Sequence, residues 1–189
     1  MTIGIIGAGS MGSGIAQVAA TADCRVLLYD AATDAPRRAL AGMEKALTNL
    51  ETKGKLPAGE AAAILSRIEL VQELSALKAA DCIIEAIVEN LEVKKSLFKA
   101  LESEVSSDCI LATNTSSLSV TAIAAACTRP ERCIGLHFFN PAPIMRLVEI
   151  APALQTSAEI VGRAEALTRQ WGKTPVLVKD TPGFIANRF

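Results

Sequence analysis

The chain has 189 residues, half of them apolar, and a formal net charge of only −1. That length allows one domain with some excess, or a domain and the start of another. There is no broad basic field, so nucleic acid and anionic membrane surfaces are excluded as main partners, and no apolar run reaches the roughly 20 residues of a membrane helix.

The first predicted element is a strand over 2–7, TIGIIG, followed by a small-residue helix over 13–22. Between them, Gly7-Ala8-Gly9-Ser10-Met11-Gly12 is a G-x-G-x-x-G in the strand-to-helix setting its mechanism requires. Gly7 permits the tight turn, Gly9 lets backbone approach a pyrophosphate, and Gly12 lets helix and strand pack closely. The helix N-terminus adds unpaired N–H groups and positive dipole. Ser10 and Met11 are placed at the cofactor with the turn, although the Met11 side chain itself reads as packing. A second strand over 24–30 ends in Asp30, where a carboxylate bonds an adenosine ribose and repels a 2′-phosphate. The expected cofactor is therefore NAD.

A helical region over 36–66 follows, broken at KGKLPAGE, and is longer than a minimal crossover needs. Strands are predicted at RIELV and CIIEAI, an amphipathic helix over 91–105, a strand at CILATN and a helix from Ser117 to about Ala126. RCIGLHFFN and MRLVEIAP read as two extended segments joined by a Pro-containing turn, followed by a helix over 157–171 and PVLVKD. Alternation of this kind predicts an α/β fold of Rossmann type, a doubly wound and mainly parallel sheet with a helical-hairpin insertion.

His137 is the one histidine of the chain. Oxidising an alcohol requires a group that takes the hydroxyl proton as hydride leaves carbon, and imidazole has the pKa for it. It needs a carboxylate on its other ring nitrogen, and the Pro-containing turn can fold Glu149 back beside it. A structural histidine and a solvent-facing glutamate on an edge strand remain competing readings of these two positions. The five cysteines are odd in number, form no C-x-x-C and lie in apolar runs, so they read as buried reduced thiols in a cytoplasmic protein without a zinc site. The N-terminus lacks the basic region and apolar run of a signal peptide.

GAGSMGSGIAQ, EAIVENLEVKKSLF, NTSSLS, GLHFFNPAPIMRLVEI and KDTPGFIANRF, in that order, closely resemble the L-3-hydroxyacyl-CoA dehydrogenase family. The resemblance implies that His137 is the acid/base and Glu149 its partner, and that Ser116 and Asn187 bond the reacting oxygen or the imidazole. It also implies that Glu89, Lys94, Asn114 and Ser116 approach the cofactor, that Asn140 helps form the pocket floor, and that the helical insertion contacts coenzyme A, with Lys53 and Lys55 as phosphate-binding candidates. Each has a plainer rival: N-capping for Ser116 and Ser117, and solvated surface for Lys94, Lys53, Lys55 and Asn187. The expected partner is an acyl-CoA substrate. Two further rivals are a nucleotide-binding scaffold without chemistry and a dehydrogenase of free small hydroxy acids.

The expected division is a dinucleotide-binding domain over 1–180, with 181–189 as linker and first turn of a C-terminal helical domain that is absent. That missing domain would make the homodimer interface, and an exposed apolar patch is expected near Phe184 and Phe189.

Overall fold

The computed structural model describes residues 1–185. The chain opens with β1 (Thr2–Ile6), α1 (Ser10–Thr21) and β2 (Arg25–Tyr29), then the hairpin α2 (Ala35–Thr52) and α3 (Glu60–Ser66), and β3 (Ile68–Leu70). A 3-10 turn at Leu74–Ala79 leads to β4 (Cys82–Glu85), α4 (Leu91–Glu104), β5 (Ile110–Thr113) and the short α5 (Val120–Ala124). The remainder is β6 (Cys133–Phe138), β7 (Leu147–Pro152), α6 (Ala158–Gln170) and β8 (Thr174–Leu177).

The strands form one eight-stranded sheet in the order β3-β2-β1-β4-β5-β6-β7-β8. Every neighbouring pair is parallel except β6 and β7. Helices cover both faces, which is why β4, β5 and β6 are buried along their whole length and read as continuous apolar runs. Side chains alternate between two cores. Ile3, Ile5, Cys82 and Ile84 pack with Ile15 of α1, Leu47 and Ile64 of the hairpin and Leu167 of α6. Ile6, Ile83 and Leu111 pack with Phe98 and Leu101 of α4 and Ile123 of α5.

The parallel strands β1 to β6 all end on one edge of the sheet. The order reverses between β1 and β4, so the crevice where ligands of doubly wound sheets bind opens there. The predicted break in the long helical region is the loop between α2 and α3, where Gly54 and Gly59 take positive φ. Four expectations need correction. Helix α1 begins at Ser10, inside the glycine turn. The 3-10 turn at Leu74–Ala79 was not expected; it buries Leu77. The helix expected from Ser117 spans only Val120–Ala124, because Ser119 caps it and Asp180 accepts hydrogen bonds from the Val120 and Thr121 amides. Phe184 is buried in the second core with 1% exposure, so the expected apolar patch does not include it; Ile185 is half exposed, and Phe189 lies outside the described residues.

All five cysteines are free and buried, and burial pushes the Cys109 thiol up to about 12. Among the described residues no helix is long and apolar enough to cross a membrane.

The glycines of the turn carry different constraints. A Cβ on Gly12 would lie 1.7 Å from the Gly7 carbonyl oxygen, whereas a Cβ on Gly9 would meet no atom of the described residues within 4 Å. Gly12→Ala should therefore lower unfolding free energy by about 2 kcal/mol or more in a denaturant titration, since backbone must move. Gly9→Ala should shift it by less than about 1 kcal/mol.

Candidate active site

The glycine turn fills the crevice between β1 and β4. Gly7 has φ 101°, and any side chain there would run into the Ala86 carbonyl 2.5 Å away. The turn is tied down by Asp30, whose Oδ2 accepts from the Ala8 amide at 2.7 Å and whose Oδ1 accepts from the Ala32 amide at 2.8 Å. Each carboxylate oxygen keeps a lone pair for a ribose hydroxyl. No side chain caps the N-terminus of α1, and no acid stands in its first turn. A helix end left this way suits an anion. Beside it a cavity of about 500 Å³ is lined by Gly7, Gly9, Tyr29, Asp30 and Val88. An open cradle at Gly9, uncapped helix donors and a carboxylate at the end of β2 fit a dinucleotide.

His137 and Glu149 are directly opposite each other in the antiparallel pairing of β6 with β7. The imidazole Nδ1 lies 2.8 Å from Glu149 Oε2, and both side chains are buried, at 7% and 1% exposure. Glu149 Oε1 accepts from the Ile185 amide at 3.0 Å. The ring is packed by Phe139 and Phe184, with centroids at 4.5 and 5.7 Å. The solvent-facing reading of Glu149 fails on this geometry, because its side chain is buried against the imidazole, and the pair stands at the carboxyl edge of β6. That strand lies three strand spacings, about 14 Å, from β1 along the same edge.

Between these two features lies a charged cluster. Lys94 is 1% exposed, not a solvated helix face, and its ammonium bonds Glu85 Oε1 at 2.5 Å with Glu89 Oε2 at 3.4 Å. Glu89 Oε1 accepts from the Thr115 hydroxyl at 2.5 Å, the Ser116 amide at 2.9 Å and the Ser117 amide at 3.2 Å. Both serine hydroxyls also reach it. Ser116 and Ser117 thus gather on an acid instead of capping a helix. Burial opposes the Glu89 charge, but Thr115, the serine amides and Lys94 together hold its carboxyl below the ordinary value.

Glu85 has no place in the sequence reading. The signal available was an acid within the apolar run CIIEAI, the same pattern that marked Glu149. Asn114 Oδ1 accepts from the Phe138 amide at 2.8 Å, joining the end of β5 to the end of β6 beside His137. Asn140 is exposed, and its Oδ1 accepts from the Ser10 hydroxyl at 3.4 Å. The Met11 side chain packs on the first core, as its sequence context suggests. Lys53 and Lys55 are exposed in the loop after α2. Asn187 lies outside the described residues. Among the described residues no group of His, Cys, Asp and Glu is arranged to hold a metal ion.

Comparison with known proteins gives the family. The domain family described as "3-hydroxyacyl-CoA dehydrogenase, NAD binding domain" matches residues 2–181. The chain is 50% identical over 187 residues to a 3-hydroxyadipyl-CoA dehydrogenase of Escherichia coli, covering 99% of this chain and 39% of that protein. It is 45% identical to a probable 3-hydroxybutyryl-CoA dehydrogenase of Bacillus subtilis, covering 97% of this chain and 64% of the relative. A crystal structure of 3-hydroxybutyryl-CoA dehydrogenase from Escherichia coli superposes with TM-score 0.98 at 50% identity, over the whole of this chain and 40% of that one. The chain thus spans between about two fifths and two thirds of the length of these relatives.

Because the Glu89 carboxyl is held low, its contribution to folding is present above the unfolded-state value and is lost as pH falls through the lowered one. Protection factors of the Ser116 and Ser117 amides should therefore hold from neutral to mildly acid pH and fall in stronger acid. Glu89→Gln should abolish that acid step, measured by hydrogen exchange with mass spectrometry.

Proposed function

The chain belongs to the family of 3-hydroxyacyl-CoA dehydrogenase NAD-binding domains, and from that premise we propose that its parent protein reversibly oxidises an L-3-hydroxyacyl-CoA to the 3-ketoacyl-CoA. The observation that carries this reading is the 2.8 Å contact between His137 Nδ1 and Glu149 Oε2 at the carboxyl edge of the sheet. With Nδ1–H donated to the carboxylate, Nε2 is the nitrogen left to take a proton. His137 accepts the substrate hydroxyl proton there and returns it in the reverse direction. Glu149 fixes the tautomer and offsets the imidazolium charge, in surroundings too dry for water to do so. Phe139 and Phe184 hold the ring and exclude water.

NAD, held by Gly7, Gly9, Gly12, the α1 N-terminus with Ser10 and Met11, and Asp30, supplies the hydride acceptor. Ser116 and Asn187 position the reacting oxygen, and Glu89, Lys94, Asn114 and Asn140 belong to the cofactor side of the pocket. The acyl-CoA lies over the carboxyl edge with its nucleotide toward the α2–α3 hairpin, where Lys53 and Lys55 are candidates for its phosphates. Residues 1–180 form the dinucleotide-binding unit, and 181–189 lead to a helical domain that completes the acyl site and the homodimer. The reading includes a cytoplasmic location, which the five buried, unpaired thiols support.

His137→Gln in the whole protein should lower turnover of acetoacetyl-CoA with NADH by about 10²–10⁴-fold while leaving NAD affinity nearly unchanged. Wild-type turnover in that variant would remove the assignment. Faster turnover of a free 3-hydroxy acid than of the thioester would replace the substrate class. Asp30→Ala should weaken NAD binding by calorimetry, and unchanged affinity would remove the ribose contact.

A further inference from the structure

Glu85 ends β4 with 0% exposure, and its carboxylate meets three donors. Lys94 Nζ and the Ile87 amide reach Oε1 at 2.5 and 2.8 Å, and the Thr113 hydroxyl reaches Oε2 at 2.7 Å. From this one carboxylate two arms run to the same loop. The first passes through the Lys94 ammonium to Glu89, which binds Thr115, Ser116 and Ser117. The second passes through Thr113, whose hydroxyl oxygen accepts from the Thr115 amide at 3.2 Å. Thr115 in turn accepts from the Leu118 amide at 3.0 Å, closing the turn around Ser116.

A buried ion pair is a poor choice where only stability is needed, since an apolar pair of similar volume often serves as well or better. What the charged pair adds here is direction. The ammonium is fixed between two carboxylates, and the second of them, Glu89, keeps 37% side-chain exposure at the mouth of the site. Glu89 alone cannot fix its own position, because it stands in the exposed stretch 88–90 between β4 and α4. Its placement comes from Lys94 on one side and the serine loop on the other.

We propose that Glu85 is a positioning residue, the common anchor that holds Lys94 and Thr113 and through them orders the loop carrying Ser116. It touches neither substrate nor cofactor. The proposal rests on the reading of Ser116 as part of the reacting pocket, but its physical content is the ordering of residues 115–118 in the unliganded chain.

The test is hydrogen exchange over 115–118 together with calorimetric titration of NAD⁺ on the chain as it stands, with denaturation measured alongside. In Glu85→Gln the loop amides should exchange faster by about tenfold or more, and NAD⁺ should bind about tenfold more weakly, each corresponding to a single-decade change in an equilibrium. Because losing the Glu85 charge leaves the buried Lys94 only the longer 3.4 Å contact with Glu89 among the described residues, which can unfold the domain, the second variant is Glu85→Leu with Lys94→Met, which replaces both charges by apolar groups. That double variant should keep a native denaturation midpoint and still lose loop protection. Wild-type protection of 115–118 in a folded form of either variant overturns the proposal. Failure of the unsubstituted chain to bind NAD⁺ overturns the cofactor reading instead, and the exchange data still decide the role of Glu85.

Discussion

The hydrogen bond between His137 and Glu149 is the constraint around which the rest of the site is arranged. Both partners are buried, so neither can lean on water, and removing one would take a hydrogen bond from the other in a dry site, a loss of about 1–3 kcal/mol. The pair exists because β7 reverses direction. Five parallel pairings bring β1 to β6 out on a common edge, and the single antiparallel pairing then returns Glu149 to that edge, across from the imidazole. A seventh strand laid down parallel would have needed a crossover, and its acid would have reached the edge in a different register.

The same logic appears a second time on β4. Glu85 and Glu149 are both acids inside otherwise apolar strands, both nearly inaccessible, and each bonds a nitrogen group, Lys94 for Glu85 and His137 for Glu149. The first pair organises the loop between β5 and α5, and the second orients the His137 imidazole. Thr113, Asn114 and the serines lie between them, so the ends of β4, β5 and β6 form one hydrogen-bonded strip. The dinucleotide turn begins where that strip ends, one strand away at β1.

Within the glycine turn the physics divides by position. Gly7 and Gly12 are demanded by protein contacts: one faces the Ala86 carbonyl and the other the Gly7 carbonyl. A Cβ on Gly9 would meet no atom of the described residues, which leaves its backbone open to a ligand. A fold that merely needed a tight strand-to-helix turn would be satisfied by the other two.

The sequence by itself determined the alternation of strands and helices, the glycine turn with Asp30 and the hairpin break at Gly54 and Gly59, because these are written in local periodicity and turn chemistry; for His137 and Glu149 it offered a functional and a structural reading side by side, and only the resemblance of GLHFFNPAPIMRLVEI to the dehydrogenase family favoured the first. Tertiary structure decided everything that depends on two distant segments meeting. It set the register that places Glu149 opposite His137, and it buried Lys94 against Glu85, a pairing of residues from separate elements that no spacing rule could supply. It also overrode the local choice of helix cap, since SSLS offers three serines and only the carboxylates of Glu89 and Asp180, arriving from elsewhere in the chain, assign each its task. The physical reason is common to all three: a buried charge takes its partner from whatever the fold brings within reach, and that reach is set by packing, not by position along the chain.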